Sequence, residues 1–333
     1  MTNPRSDAGE PAGGGGAAAV TATPRWAVYA MLVGSMVLWG GTWPVGRIVA
    51  AAVAPWNAAF LRFVLATGAL VLICLRVEGR QAFRIRHGLL PRLLLLGATG
   101  IFGYSFLFFS GLKTTGAGRA GLIVGCIPVC IALCSSLIAR QRLPLLAVAG
   151  ILLSLLGVSV LISNGDPLVL LRGQVRAGDL MILGCVLCWT AYTLLARPVM
   201  RELPPLVALT WSCLLGTVLI LPFAFAGGLW RDVMAARRIE WAGLAFLGVL
   251  ATSLGYYWYY HAIRQIGAVV AGIFINLVPL FALLLGCIFL KERVHLSQLL
   301  GGLMVITGVV LTIKAQHRGP AGRQPQRKGE GEC

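Results

Sequence analysis

Ten apolar stretches of about 20 residues each set the limits of what this chain can fold into. They run over roughly 26–49, 56–76, 91–112, 117–139, 144–163, 178–199, 204–226, 241–263, 268–290 and 296–315. At a rise of about 1.5 Å per residue, each is long enough as a helix to cross about 30 Å of hydrocarbon. No water is present there to satisfy backbone N–H and C=O groups, so a segment of this kind has to close its own hydrogen bonds. A transmembrane barrel would instead show alternating segments of about 10 residues. The predicted fold class is an all-α membrane protein with ten transmembrane helices. Composition agrees: 58% of residues are hydrophobic and 12% charged, with mean hydropathy +0.85, against about 25% charged in soluble domains.

A net charge of +17 could suggest nucleic acid, but the arginines cluster at the ends of apolar blocks and form no basic stripe. They read as juxtamembrane charges that fix orientation. With ten spans, the side carrying both termini collects 17 Lys and Arg and the opposite side ten, with Arg62 inside a span. Both termini are therefore expected in the cytoplasm of a cell whose inner, or plasma, membrane holds the protein. Of the nine cysteines, Cys126, Cys130, Cys134, Cys185 and Cys188 lie within spans, without the paired loop spacing of a structural zinc site. No metal, cofactor or catalytic residue is expected. Residues 1–25 and 316–333 read as polar, disordered tails and 164–177 as a linker, with the first apolar block a retained span rather than a cleaved signal.

The second half of the chain repeats the first at an offset of 150 to 151 residues. Trp39 then falls on Trp189, Pro55 on Pro205, Thr67 on Thr217, Pro128 on Pro279, Gly150 on Gly301 and Gly157 on Gly308. Apolar matches mean little in such a chain, but Trp, Pro and Gly in register do not arise by composition alone. The repeated units, 26–163 and 178–315, each hold five spans. Five is odd, so the second unit must enter the bilayer from the face opposite to the first. Inverted repeats of this kind are the architecture of alternating access, with a site near the midplane between the two units.

The residues that carry the duplication also carry a resemblance. The first helix holds LWGGTWPVGR, the second an FLRF arginine, the fourth a proline and the fifth a glycine pair seven residues apart, while FLKERVHLSQLLGG joins the last two spans. This pattern resembles the EamA family of the drug/metabolite transporter superfamily. The first unit has Gln141 where the acidic residue of the joining motif is expected, and Leu209–Ser212 surround the position matching Arg62. The resemblance implies a ten-helix exporter of small metabolites. Its partners would be a small-molecule substrate and the lipid bilayer, with no nucleic acid; a monomer would suffice.

Polar and aromatic interruptions of the spans mark the candidate site. Pro44 lacks an N–H and deprives the Gly40 carbonyl of its helical partner, while Gly40 and Gly41 allow close approach. Thr42, Trp39 and Trp43 then add polar donors to a kinked, cavity-lining helix. CWTAYTLLAR is its copy in the sixth span, with Trp189 and Tyr192. Pro128 and Pro279 are expected to kink the fourth and ninth spans and free the carbonyls of Val124 and Ile275, beside Asn276. In GYYWYYHAI, Tyr256 and Tyr260 share one helical face, and Tyr104 holds a related position in the third span. The predicted substrate-binding set is Trp39, Thr42, Trp43, Tyr104, Trp189, Tyr192, Tyr256, Tyr260 and Asn276. Arg62 and His261, ionisable and inside spans, are candidates for a charge or coupling role. A membrane-embedded enzyme would need a cluster of nucleophile, base or metal ligands, and the four histidines stand apart. A nucleotide-sugar or phosphorylated-metabolite carrier of the same superfamily would want several buried cations, and only Arg62 qualifies. The leading expectation is an exporter of amino-acid-like or aromatic compounds.

Overall fold

The computed structural model describes residues 23–112, 123–140, 143–163, 177–290 and 296–318, apart from the side chains of a few of them, Trp43 included. Every regular element among them is helical. In the first unit these are α1 (Arg25–Ala52), α2 (Pro55–Val77), α3 (Leu90–Leu96), α4 (Tyr104–Leu112), α5 (Ile127–Ala139) and α6 (Leu145–Ile162). In the second they are α7 (Ala177–Glu202), α8 (Pro205–Ala226), α9 (Leu229–Ala235), α10 (Arg238–Ala245), α11 (Gly255–Ile266), α12 (Ala268–Ile273), α13 (Leu277–Leu290) and α14 (Leu296–Arg318). A π-helical stretch, Gly97–Gly103, joins α3 to α4, and another, Phe246–Leu254, joins α10 to α11. Six helical spans are long and apolar enough to cross a membrane, and four shorter apolar helices accompany them. The predicted linker 164–177, except its last residue, and most of the two predicted tails lie outside the described residues, and α14 continues to Arg318, past the predicted end of the last span.

Inter-helix contacts fix the relative direction of the helices. Trp39 meets Ala251 and Ser35 meets Gly255, so α1 and the eighth span (α10 to α11) run antiparallel. Asn57 meets Gly227 and Thr67 meets Thr217, so α2 and α8 are antiparallel. In the third span, Gly103 approaches Cys188 and Gly111 approaches Ile182, which makes this span antiparallel to α7. Gly97 faces Ser212 and Gly216 while Gly216 faces Ile101, so the third span is parallel to α8. Taken in sequence, these relations leave α7 antiparallel to α1. The second unit is therefore inverted relative to the first.

The contacts also obey exchange of the two units. Gly97 lies against Ser212 and Gly216, and its copy Gly248 lies against Arg62 and Ala66, the copies of those residues. The Ser35 hydroxyl donates to the Gly255 carbonyl at 3.0 Å, and the copy of Ser35, Cys185, places Sγ 3.5 Å from the Tyr104 carbonyl. α6 and α14 cross with Gly157 on Gly301 and Gly308 on Gly150. There a Cβ on Gly308 would come within 2.5 Å of the Gly150 carbonyl oxygen. Where lipid is as apolar as the side chains, close approach through small residues supplies the packing energy that water exclusion supplies elsewhere. Residues that meet their own copies lie on the pseudo-two-fold axis. Thr67 and Thr217 do so, with hydroxyls 3.1 Å apart, and so do Trp39 and Trp189, with ring centroids 5.3 Å apart at 90°.

The prolines act differently from one another. Pro44 lies inside α1, which stays helical to Ala52. Pro128 was expected to kink the fourth span from within, but it sits in the first turn of α5, after a break at Gly125 and Cys126. Proline is tolerated in a first turn because no N–H is needed there. The ninth span breaks in the related place, with a 3₁₀ turn at Phe274–Asn276 and Pro279 two residues into α13. In both, the sequence signal marks a helix restart.

Candidate functional site

A cavity lies between the two units, beside the axial tryptophans. Its wall includes Trp39, Thr42 and Gly46 from α1, Arg62 from α2, Tyr104 and Phe108 from α4, and Trp189 from α7. Val124, Gly125 and Ile127 come from the start of the fourth span, Leu247 and Tyr256 from the eighth, and Ile275, Val278 and Pro279 from the ninth. The void measures about 880 Å³, open mouth included.

The centre of the wall is an aromatic cluster. Tyr256 sets its ring 5.5 Å from Trp39 and 5.3 Å from Trp189, edge to face in both cases. Tyr104 lies 5.3 Å from Trp189 and stacks on Phe108 at 5.8 Å. Rings at these separations favour tilted and T-shaped contacts because the negative face of one attracts the positive edge of the next. The Trp39 indole donates to the Ala251 carbonyl at 2.9 Å. That carbonyl is accessible because the π-helical stretch at Phe246–Leu254 departs from the α-helical bonding register.

The cavity is closed at one end. From Trp39 it extends along α1 to Gly46, along α4 to Phe108 and back along the eighth span to Leu247. Given the directions above, all three lead away from the end that carries Thr23 and Arg318. Toward that end, Tyr192, Tyr259 and Tyr260 are fully buried below the tryptophans, with Tyr192 and Tyr260 rings 5.3 Å apart and the Thr193 and Tyr259 hydroxyls at 3.3 Å. Each end also has its own cross-unit tie. At the open end, the buried Asp232 of α9 accepts from the Ala54 backbone N–H at 2.7 Å and from Asn57 Nδ2 at 2.8 Å, which secures the start of α2. Burial alone would raise the Asp232 pKa, but these bonds and the neighbouring Arg231 hold it below the usual carboxylate range. At the closed end, Arg92 pairs with Glu202 at 2.7 Å on the surface, and the Trp211 indole donates to the Ala82 carbonyl at 3.3 Å.

Of the residues singled out from sequence, Trp39, Thr42, Tyr104, Trp189 and Tyr256 meet at this cavity, together with Arg62 and Pro279. Val124 and Ile275, named for their freed carbonyls, line it as well. Tyr192 and Tyr260 belong to the plug beneath it. Asn276 lies elsewhere, donating to Ser154 Oγ at 2.9 Å and so tying the ninth span to α6. His261 is at the tail end, its Nε2 3.2 Å from the Thr23 hydroxyl. Gly40 packs on Phe281 and Ala282 and Gly41 on Phe246, so their small size serves helix contact rather than the cavity wall. The Trp43 side chain lies outside what is described. Sequence reasoning passed over Gly46, Leu247 and Val278. Phe108 could have been found, since it follows Tyr104 by one helical turn.

Comparison with known proteins assigns this architecture. The model of the EamA-like transporter family matches residues 26–163 and again 176–314. An uncharacterized transporter of Bacillus subtilis, YyaM, is 28% identical over 85% of this chain and 92% of its own. A probable terminal-alkyne amino-acid exporter of Streptantibioticus cattleyicolor is 24% identical over 86% of this chain and 92% of its own. A solved crystal structure, 21% identical, superposes with a TM-score of 0.71 on 89% of this chain and all of its own, and so shares the fold. The two units, matched once each by the same family model, make this chain a multi-pass membrane transporter that belongs to the EamA-like transporter family.

Proposed function

We propose that this transporter exports small amphipathic metabolites, amino-acid-like or aromatic, across the inner membrane by rocking of the two units about the cavity between them. The observation that carries this reading is the cavity itself. It lies between two inverted units, beside their pseudo-two-fold axis, is walled by Trp39, Trp189, Tyr104 and Tyr256, and is open at one end and plugged by tyrosines at the other. Exchange of the two units' conformations would close the open end and open the plugged one, which is the transport cycle an inverted duplication permits. The excess of Lys and Arg favours tails in the cytoplasm, and with that orientation the conformation described here faces outward. Indole and phenol rings offer flat faces to an aromatic or aliphatic body, and the Thr42 and Tyr256 hydroxyls can orient its polar end. The amino-acid exporter among the relatives supports the same substrate range.

The test is counterflow in proteoliposomes. Loading with aromatic and aliphatic amino acids and their derivatives should give accelerated exchange with the wild type. It should fall roughly tenfold or more in each of Trp39→Ala, Tyr104→Ala and Tyr256→Ala. Wild-type rates in all three variants would remove the cavity from the transport path.

A further inference from the structure

We propose that Arg62 is the receptor for a carboxylate on the transported molecule, so that the cavity selects molecules that carry one carboxylate on an apolar or aromatic body over compounds of the same shape that lack it. This rests on the reading above that the cavity is the transport site.

Arg62 alone among the described cavity-lining residues carries a charge. A guanidinium does not lose its proton in a protein, so this charge is permanent, and at membrane depth a permanent charge needs compensation. Among the described residues, the ion pairs are made by Arg92, Arg231 and Arg237, and none of them involves Arg62. What surrounds Arg62 fixes its direction without neutralising it. Its Nε donates to the Thr252 hydroxyl at 2.9 Å. Thr252 uses its own proton on the Leu247 carbonyl at 2.7 Å, so it can only accept from the arginine. Its Cζ stands 5.1 Å over the Phe63 ring, a contact that holds the plane of the group.

With Nε engaged by Thr252 and the plane of the group held over Phe63, the two terminal amino groups form the edge that a carboxylate fits with two parallel bonds. Tyr256 belongs to the same cavity wall, and its hydroxyl can add a third donor. Tyr256 also touches both axial tryptophans. A ligand carboxylate on Arg62 would therefore place its hydrocarbon body against Trp39 and Trp189.

Two further points narrow the class. The copy of Arg62 in the second unit is Ser212, which donates to the Leu209 carbonyl and brings no charge, so the described wall offers one anion position. No Asp or Glu is among the described residues that line it and could receive an ammonium. An amino group on the ligand is tolerated by the ring faces but not demanded.

The experiment is equilibrium binding to the purified full chain in detergent, followed by isothermal titration. The four probes are 3-phenylpropionate, L-phenylalanine, 3-phenylpropan-1-ol and phenethylamine. The wild type should bind the first two about tenfold or more tighter than the alcohol and the amine. Arg62→Gln should bring the four within about threefold of one another, and Arg62→Lys should keep part of the preference, since the charge stays and the fork is lost. Thr252→Val, which releases the guanidinium without removing it, should weaken the carboxylates and spare the alcohol; it serves as the second variant if Arg62→Gln does not fold. Equal affinity of all four for the wild type, no saturable binding by either carboxylate, or an undiminished preference in Arg62→Gln overturns the anion assignment and leaves the cavity reading standing. Unchanged affinity for every probe in Trp39→Ala overturns both.

Discussion

Arg62 and Ser212 stand at equivalent points of α2 and α8, and the copies of the glycines beside them, Gly248 and Gly97, make equivalent contacts. Yet one position holds a cation facing the cavity and the other a serine bonded to its own helix. The tryptophans differ in a subtler way. The Trp39 indole N–H donates to Ala251, whereas the Trp189 N–H, buried among rings, has no hydrogen-bond partner among the described residues. The Trp39 bond would be copied by one from Trp189 to Gly100, but the Tyr192 ring is pressed against Gly100 instead. The backbone frame obeys the two-fold and the side chains at the cavity do not. Alternating access asks for near-equal energies in the two exchanged conformations, which symmetric packing provides. Recognition of an asymmetric molecule asks for different groups on opposing walls.

The sharpest way to break the comparison is at the α6–α14 crossing, where the frame should respond alike on both sides. Gly308→Leu and Gly157→Leu each drive a side chain into the opposing backbone and should cost about 3 kcal/mol. Both should appear as loss of monodisperse protein or a large fall in unfolding temperature. If one is silent, the frame is less symmetric than its contacts. The tryptophans should respond unequally. Trp39→Phe removes a satisfied donor and strands the Ala251 carbonyl, at about 1 kcal/mol, while Trp189→Phe removes a donor that reaches no hydrogen-bond geometry with any described residue and should leave thermal stability unchanged or raised. Smaller still is the axial hydroxyl pair. A double-mutant cycle of Thr67→Val and Thr217→Val should return a coupling near 0.6 kcal/mol, the usual scale for hydrogen bonds between membrane helices.

The last test concerns Asp232, whose effect shows as a dependence on acid pH and whose counterpart in the first unit is Ala82, a residue without a charge. The folded protein holds the Asp232 carboxyl below its ordinary pKa, so the ionised form is the one folding favours. Its contribution is complete above about pH 4 and is lost as pH falls through the lowered value. Unfolding temperature followed from pH 7 to pH 3 should therefore drop more steeply for the wild type than for Asp232→Asn, and identical slopes would deny Asp232 this role.

The frame was legible because it rests on chemistry that sequence displays. Length and apolarity gave the spans, and Trp, Pro and Gly in register gave the duplication and its inversion. The wall was half legible. Trp39, Trp189 and Tyr256 reach the cavity as expected from aromatic residues in otherwise aliphatic spans, but Tyr192 and Tyr260, equally aromatic, form the plug below. In a soluble helix the polar face would tell such residues apart. In a membrane helix both faces are apolar, so periodicity cannot say which side looks inward. The π-helical stretches were hidden for a different reason. They are fixed by the fit of Gly97 and Gly248 against the opposing unit, a tertiary constraint without a local signature. Pro128 misled because a proline in an apolar run looks the same whether it bends a helix or begins one.

Positions such as Thr67 and Thr217 carry an obligation that no other part of the chain bears. A side chain that faces its own duplicate has to be its own complement. A hydroxyl manages this because it gives one proton and takes another, and an indole manages it by turning its rim toward its twin's plane. An arginine or an aspartate so placed would confront a like charge, and it follows that any group meant to grip an ion has to stand to one side of that line, where the halves are free to disagree.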